Sequence, residues 1–316
     1  MTGRVLVTGA SGFIGRALVD DLAAAGHPVR AAMRHPADIF ARGVEVVAVS
    51  DLTRPVEWRA LLKSIETVVH LAGIAHAGPG IAEEAYDRVN RLATAELSAA
   101  AQRAGVRRLV FVSSIRAQSG PVATHVLSEA DAPHPTDAYG RSKLAAEEAV
   151  RASNVPFTIL RPVLIYGPGV KGNLARLMQL AHTPWPLPFK QFTNRRSLLA
   201  RQNLIGAIHF ALRTPATAGE TYVVADPTPL TLAELVTVLR AGEGRSPRLL
   251  PIPPGSIAAA LRTLGRSETW DRLGGELVVN PDKLLRAGWR PSVETRAGLV
   301  AMVHRTTETA GASAKA

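Results

Sequence analysis

Short apolar runs alternate with longer amphipathic stretches through the first half of the chain. Runs rich in Val, Ile and Leu predict buried β-strands, and apolar residues at three- and four-residue spacing predict helices. The predicted strands are Val5–Val7, Val29–Met33, Val44–Val49, Thr67–Leu71, Arg108–Ser113 and Phe157–Arg161. The predicted helices are Phe13–Ala25, Val56–Ser64, Glu83–Ala104 and Ala138–Ser153. This alternation predicts an α/β fold with a Rossmann-like, doubly wound parallel sheet.

The regular pattern ends after Pro162, where prolines 168, 184, 186 and 188 interrupt the chain. Further on, the pattern predicts helices at Asn203–Leu212, Leu232–Arg240 and Ile257–Leu264 and a strand at Thr221–Val224 that returns to the sheet. We expect a larger domain formed by residues 1–165 and about 198–225. A smaller, interleaved C-terminal α/β domain then comprises residues 166–197 and 226–305. Residues 306–316 are small and polar and predict a disordered tail.

A glycine-rich turn, TGASGFIG, follows the first predicted strand. Gly9 lets the chain turn sharply, Gly12 lets a pyrophosphate approach bare backbone, and Gly15 lets the next helix pack closely on the sheet. The helix N-terminus adds free N–H groups and a positive dipole end. Because the turn lies between a strand and an amphipathic helix, it predicts a dinucleotide site. The predicted contacts are Gly9, Ser11, Gly12, Phe13, Ile14 and Gly15.

Tyr139 and Lys143 are four residues apart at the start of a predicted helix and therefore share one helix face. A lysine ammonium about 4 Å from a phenol contributes roughly 4 kcal/mol at an effective dielectric of about 20. We therefore expect Lys143 to lower the pKa of Tyr139 and make it an acid–base group. Ser113 and Ser114 end the fifth strand, at the ligand edge of the sheet, where a hydroxyl can hold a substrate oxygen. A nucleophilic serine is disfavoured, because no Gly-x-Ser-x-Gly elbow surrounds them.

Composition and charge exclude several classes of protein. The chain has no cysteine, which excludes disulfides and thiolate metal sites, and no metal site is predicted. Its net charge of +11 is spread along the chain without interleaved aromatic residues, so we expect no nucleic-acid partner. No apolar run approaches the roughly 20 residues of a membrane span, and no signal peptide precedes the first strand. We expect a cytoplasmic protein with no membrane partner.

Together the motifs resemble the extended short-chain dehydrogenases/reductases of the NAD-dependent epimerase/dehydratase family. The resemblance rests on TGASGFIG, Asp51-Leu52, His70-Leu71-Ala72-Gly73, Asn90, Ser113-Ser114, Tyr139-x-x-x-Lys143 and Arg161-Pro162. It implies that the larger domain binds NAD or NADP and the smaller one binds substrate. It further implies that Tyr139 is the acid–base residue, Lys143 the ribose anchor and Ser114 the substrate hydrogen-bond partner. The implied cofactor contacts also include Asp51, Leu52, Leu71, Ala72, Gly73, Asn90, Tyr139, Lys143 and Pro162.

Within that family, VSSIRAQSG, YGPGVKGNLARL, NRRSLLARQNL and DRLGGELVVNPDKL resemble bacterial UDP-sugar 4-epimerases and UDP-4-keto-6-deoxy-HexNAc 4-reductases. This resemblance implies a UDP-sugar substrate and a homodimer built on Glu83–Ala104 and Ala138–Ser153. The implied substrate contacts are Ser113, Arg116, Asn173, Arg196 and Arg272. In that group Ser-Ser-Ile is usually followed by Lys-Val-Asn-Gly-Glu, whereas Arg116–Gly120 follows here. The sugar, the stereochemistry at C4 and the oligomeric state therefore stay open.

The end of the second strand bears on the cofactor and the reaction. NAD enzymes place an acid there, but this chain has Met33 and Arg34, and an arginine attracts a 2′-phosphate. This favours NADP(H), with NAD(H) as the alternative. Because cellular NADP is largely reduced, we expect NADPH-dependent reduction at C4 of a UDP-4-keto-(6-deoxy)-hexosamine for surface polysaccharide synthesis. The alternatives are a UDP-hexose or UDP-HexNAc 4-epimerase with retained NAD, a reductase of a non-sugar carbonyl, and a non-enzymatic NADP sensor.

Overall fold

A central sheet of parallel strands organises the computed structural model, which describes residues 3–36, 40, 43–74, 81–263, 265 and 274–313. Its strands are β1 (Arg4–Thr8), β2 (Val29–Met33), β3 (Glu45–Ala48), β4 (Ile65–His70), β5 (Arg108–Val112), β6 (Phe157–Pro162) and β10 (Glu220–Val224). They lie in the order β10-β6-β5-β4-β1-β2-β3. The chain thus winds outward from β1 in both directions, which confirms the predicted doubly wound fold.

Helices cover both faces of the sheet. The helices of the described residues are α1 (Gly15–Ala24), α2 (Trp58–Leu61), α3 (Glu83–Tyr86), α4 (Ala93–Arg103), α5 (Ala138–Arg151), α6 (Asn173–His182), α7 (Arg201–Arg213), α8 (Leu232–Ala241), α9 (Pro254–Thr263), α10 (Asp282–Arg286) and α11 (Thr295–Ser313). Over this part of the chain, no helix has the length and apolar character that crossing a membrane would require.

Alternating strand residues build two separate cores, one on each face. Val5 and Val7 of β1 pack with residues of α1 and α7, whereas Leu6 between them packs with residues of α4 and α5. Successive side chains of a strand point to opposite faces, so one apolar strand contributes to both cores. This explains why the strands read as continuous apolar runs in the sequence.

Strand β10 closes one edge of the sheet, and charged side chains occupy its free hydrogen-bonding groups. The backbone N–H of Val223 donates to Glu129 Oε1 at 2.7 Å, and Lys283 Nζ donates to the carbonyl oxygen of Thr221 at 3.0 Å. Charges on an edge strand oppose pairing with a second sheet. The edge is therefore protected from strand addition.

The C-terminal part of the chain forms a smaller lobe with short strands and its own core. Strands β7 (Leu164–Tyr166) and β9 (Leu198–Ala200) pair in parallel, and β8 (Arg195–Arg196) pairs with β11 (Leu230–Thr231) antiparallel. Side chains from α6, α8 and α11 pack together against them. The buried members include Leu174, Leu235, Leu239, Leu299 and Met302. This lobe lies beyond the regular βα pattern, and the division of the chain into two domains stays a prediction.

Three local features differ from the sequence-based expectation. Helix α1 begins at Gly15 rather than Phe13, because the Gly12 N–H donates to Gly9 O at 3.0 Å and extends the turn. The long helix predicted at Glu83–Ala104 contains a π-helical turn, Asp87–Leu92. The last helix runs to Ser313, over most of the predicted tail. Extending an existing helix through Ala-rich sequence is easy once a packed first turn has nucleated it.

Candidate active site

The predicted cofactor and catalytic segments meet at the carboxyl edge of the sheet. The glycine-rich turn follows β1, residues 71–73 follow β4, Ser113 and Ser114 follow β5, and Pro162 ends β6. In the sheet, β4 lies between β1 and β5. The sheet order therefore brings these four segments side by side at the edge where such folds bind ligands.

The glycine-rich turn fits a dinucleotide pyrophosphate. Gly9 has φ +68° and a Cβ there would lie 2.8 Å from Ala72 N, while a Cβ at Gly15 would lie 2.1 Å from Gly9 O. Both positions are closed to any side chain, as the sequence predicts. The adjoining Ser11 and Gly12 are exposed, and in the described structure no side chain caps the first turn of α1 or places an acid there. Backbone N–H groups are thus left for an anion.

Replacing Gly9 with Ala is expected to weaken both folding and cofactor binding. Gly105 is the matched control: its φ is +70°, yet nothing lies within 4 Å of a Cβ added there. Gly105→Ala should lower the free energy of unfolding by about 1–2 kcal/mol, the cost of the left-handed backbone alone. Gly9→Ala should lower it further and reduce the affinity for the dinucleotide cofactor, as measured by urea denaturation and fluorescence titration. If Gly9→Ala and Gly105→Ala had equal effects on the free energy of unfolding and on cofactor affinity, the placement of Gly9 in the cofactor site would be contradicted.

The segment after β4 is held in place by Thr8 and Asn90. The Thr8 hydroxyl accepts from the N–H groups of Leu71 and Ala72, each at 3.3 Å. Asn90 Oδ1 accepts from Ile74 N at 2.8 Å, and its Nδ2 donates to Ile74 O at 3.1 Å and to Ser142 Oγ at 3.0 Å. These bonds use both donors of the Asn90 amide and shape residues 71–74. A direct contact of Asn90 with the cofactor stays a prediction.

Arg34 lies exposed directly after β2, where the sequence places a 2′-phosphate contact. Its charge acts on Asp51, which is also exposed. The pKa of Asp51 is lowered first by the backbone amide of Thr53, which donates to Oδ1 at 2.9 Å, and further by Arg34 and Arg54. Leu52 beside it is buried against the core. An exposed arginine and an ionised carboxylate therefore face the expected adenosine end of the site.

Helix α5 presents Tyr139 and Lys143 to the end of β5. Asp137 caps this helix by accepting from Gly140 N at 2.7 Å, and it also pairs with Arg116. The half-buried Tyr139 bonds with the Ser114 hydroxyl, while buried Lys143 donates to the carbonyl oxygen of Val112 at 2.9 Å. The cap residue Asp137 was not among the sequence-based candidates. An acid before a predicted helix start is the signal that could have found it.

Burial sets the ionisation of both groups. It raises the pKa of Tyr139 to about 12, although the Ser114 hydroxyl and the Arg116 charge act in the opposite direction. Burial also lowers the pKa of Lys143 to about 7. The cation that acts on Tyr139 here is Arg116, since the Lys143 ammonium is directed to Val112 O and stands 4.2 Å from the Phe111 ring centre. The expectation that Lys143 lowers the Tyr139 pKa is therefore wrong for this structure.

The two serines after β5 have different surroundings. The Ser114 hydroxyl faces Tyr139 and accepts from Arg116 N at 3.1 Å. The Ser113 hydroxyl instead donates to Glu147 Oε1 at 2.6 Å inside the protein. Successive residues of an extended chain point to opposite sides, so only one of the pair can face the tyrosine. The Ser113 hydroxyl is thus engaged inside the protein, and its contact with a substrate stays a prediction.

Two arginines of the predicted substrate site lie close to each other. Arg196, on β8, is half-buried, and its pKa is lowered by burial and then by the charge of Arg116. Both guanidinium groups can bind an anion, and Arg116 already pairs with the Asp137 carboxylate. Asn173 is exposed at the first position of α6. Arg272 lies outside the described residues.

The chain is similar to known proteins of one family. The model of the NAD dependent epimerase/dehydratase family matches residues 5–225. The chain is 32% identical over 302 residues to the UDP-glucose 4-epimerase of Vibrio cholerae, covering 92% of each protein. It is 31% identical over 310 residues to the ceramide reductase of Caulobacter vibrioides, covering 92% of this chain and 86% of that protein.

A solved structure has a similar fold. The structure of MoeE5 in complex with UDP-glucuronic acid and NAD matches with a TM-score of 0.78 and 26% identity, covering 97% of this chain and 100% of that one. The fold and the site define an enzyme of the extended short-chain dehydrogenase/reductase type, an NAD-dependent oxidoreductase or epimerase. The chain belongs to the NAD-dependent epimerase/dehydratase family.

Proposed function

We propose that the protein is an NADPH-dependent reductase acting at C4 of a UDP-4-keto-(6-deoxy)-hexosamine, in the cytoplasmic synthesis of surface polysaccharide. The observation on which the proposal rests is Arg34, exposed after β2 where NAD enzymes have an acid. A guanidinium there attracts the 2′-phosphate that distinguishes NADP from NAD. In this assignment residues 1–165 and about 198–225 bind the cofactor, and residues 166–197 and 226–305 bind the sugar nucleotide.

The ionisation of Tyr139 supports reduction. A pKa of about 12 keeps the phenol protonated at neutral pH, so the resting enzyme holds a proton donor beside Ser114. Reduction of a ketone requires a proton donor for the new alkoxide, whereas the first step of epimerisation removes a proton from an alcohol. Tyr139 can therefore act as the general acid of a reduction.

A nucleotide diphosphate suits the basic side of the site. Arg116 and Arg196 lie near each other, and Arg116 connects through its backbone N–H to Ser114. A diphosphate bound between these guanidinium groups would bring the sugar towards Tyr139. The Vibrio cholerae relative is a UDP-glucose 4-epimerase, and MoeE5 was solved with UDP-glucuronic acid, so a UDP-sugar is the substrate class that both comparisons support.

Ser114, Tyr139 and Lys143 would each have a different role in the reaction. Bound NADPH would supply the hydride that adds to the C4 carbonyl carbon. Ser114 would donate a hydrogen bond to the C4 oxygen, and Tyr139 would transfer its phenolic proton to that oxygen as the C–O π bond becomes an alkoxide. Lys143 would anchor the ribose, and the Arg116 charge, which acts on Tyr139, would oppose the charge of the phenolate until solvent returns the proton.

A 4-epimerase is the second candidate function. The observation that favours it is the 32% identity to the Vibrio cholerae enzyme over 92% of both proteins. An epimerase returns the hydride to its own product and needs no added cofactor, so turnover distinguishes the two. The Caulobacter vibrioides ceramide reductase matches a similar share of the chain. A non-sugar ketone is therefore included as a third substrate in the test.

The purified protein is tested in parallel with NADPH and a UDP-4-keto-6-deoxy-HexNAc, with NADPH and a long-chain ketone, and with UDP-GlcNAc alone. We expect NADPH absorbance to fall only with the keto sugar, and more slowly when NADH replaces NADPH. Interconversion of UDP-GlcNAc and UDP-GalNAc without added cofactor would replace the proposal with an epimerase. If NADPH were consumed only with the ketone, a sugar nucleotide would not be the substrate.

A further inference from the structure

Helix α5 meets the end of β5 through three side chains at four-residue intervals. Tyr139 bonds with Ser114, and Lys143 donates to Val112 O at 2.9 Å. Glu147, one turn further along the helix, accepts from the Ser113 hydroxyl at 2.6 Å. Residues spaced by four lie on one helix face, so three helical residues are matched to three consecutive strand-end residues. Of the three helical residues, only Tyr139 and Lys143 have a role in the proposed reaction.

Glu147 is buried in a fully polar network. Its side chain is 0% exposed and forms a two-bond pair with Arg161, from Nε at 2.9 Å and from Nη2 at 2.6 Å. Arg151 donates a further bond to Oε2 at 3.0 Å. Arg161 in turn donates to Gln118 Oε1 at 2.8 Å. A buried ion pair is expensive to desolvate, so a hydrophobic pair would stabilise the fold at least as well.

We propose that Glu147 is a positioning residue of the reaction centre, whose buried carboxylate fixes α5 against the end of β5 and places a negative charge one helical turn from Lys143. This role rests on the proposed function of Tyr139 and Lys143. The Ser113 bond ties the carboxylate to the residue that precedes Ser114. A shift of α5 by one residue would therefore break all three contacts together.

The charged groups around Lys143 determine how strongly Glu147 affects the Lys143 pKa. Burial lowers the pKa of Lys143 and the Glu147 charge raises it. His70, on β4, is held neutral by burial, with a pKa of about 3. The cations facing this region are Arg161 from β6, Arg151 from α5 and Arg116 from the turn after β5. Several other charges near α5 form ion pairs: Arg88–Glu96, Arg91–Asp87, Arg141–Glu83 and Arg116–Asp137. Glu84 of α3 and Arg103 of α4 are the other charged residues on the helices packed against α5.

Glu147→Gln keeps the shape of the side chain and removes its charge. Lys143 then loses an attractive anion and faces an Arg161 guanidinium that is no longer neutralised. Both changes disfavour the ammonium, so the midpoint of Lys143 titration should fall by about one pH unit or more. At pH 7 the charged fraction would drop from about one half to about one tenth. Glu148→Gln, the neighbouring exposed carboxylate, is the matched control.

The titration is read by NMR of protein labelled with ¹³C at lysine Cε. The chain has 6 lysines, and the signal absent from Lys143→Met identifies Lys143. We expect a midpoint near pH 7 in the wild type and in Glu148→Gln, and a lower one in Glu147→Gln. The measurement needs no substrate, so it succeeds or fails separately from the proposed reaction.

A midpoint in folded Glu147→Gln within about 0.3 unit of wild type overturns the proposal. If Glu147→Gln does not fold, Arg161→Gln provides a second test. Without the Arg161 guanidinium the Glu147 carboxylate is less neutralised, so the midpoint of Lys143 titration should rise. An unchanged or lower midpoint in Arg161→Gln also overturns the proposal. A network that only stabilises the fold would move neither midpoint in the stated direction.

Discussion

Replacing Tyr139 with Phe is expected to lower kcat by about 10³-fold while leaving the fold and NADPH binding nearly unchanged. The change removes the phenolic proton that the ketone oxygen would receive, and general acid catalysis contributes about 10²- to 10⁴-fold. The ring stays, so its packing 6.1 Å from the Tyr86 ring is kept. Steady-state NADPH oxidation at saturating keto sugar measures kcat, and fluorescence titration measures cofactor affinity.

Tyr86→Phe is the matched control for this change. It removes the same hydroxyl from the neighbouring ring and should alter kcat by no more than about threefold, because Tyr86 is assigned no proton-transfer role. A Tyr139→Phe enzyme that retains more than about a tenth of wild-type kcat would mean that another group donates the proton. The assignment of Tyr139 would then be abandoned.

Arg34→Gln should weaken NADPH binding by about 10- to 100-fold and leave NADH binding within about threefold. Hydrogen bonds to a charged group contribute about 1.5–3 kcal/mol, and each 1.4 kcal/mol is tenfold in affinity. NADH lacks the 2′-phosphate, so it has no interaction with Arg34 to lose. Isothermal titration with each cofactor gives the two dissociation constants.

Arg103→Gln controls for the loss of one positive charge from the molecule. Arg103 ends α4, and a helix that leads into a parallel strand ends at the amino edge of the sheet, opposite the cofactor. We expect both dissociation constants to stay at their wild-type values. Equal weakening of NADPH and NADH by Arg34→Gln would show that the arginine contacts the adenosine and not a 2′-phosphate.

Local sequence patterns were sufficient for the sheet and for the main functional segments. Strands such as Val29–Met33 are predicted to the residue, because a parallel sheet buried on both faces requires continuous apolar runs. The glycine positions could be predicted because Gly9 and Gly15 are restricted by backbone contacts that no other residue could satisfy. Helix α6 was missed since prolines on both sides, at 168 and 184, obscured the periodic stretch between them.

Side-chain direction could not be predicted from sequence. Ser113 and Ser114 are chemically identical, and only the backbone after β5 decides that one faces Tyr139 and the other Glu147. Likewise, the spacing of Tyr139 and Lys143 places them on one helix face but does not show that Lys143 reaches Val112 O. The Asn90 amide is used by Ile74 because a loop and a helix distant in sequence come together. Such pairings depend on tertiary contacts.

The most direct test of the proposed reaction uses NADPH carrying deuterium at the transferable C4 position of its nicotinamide, mixed with a UDP-4-keto-6-deoxy-HexNAc. The account predicts a product one mass unit heavier than that formed with unlabelled NADPH, with the deuterium at sugar C4 by NMR. No product from the keto sugar, or product without deuterium, would contradict it, as would interconversion of UDP-GlcNAc and UDP-GalNAc by the same preparation without added cofactor.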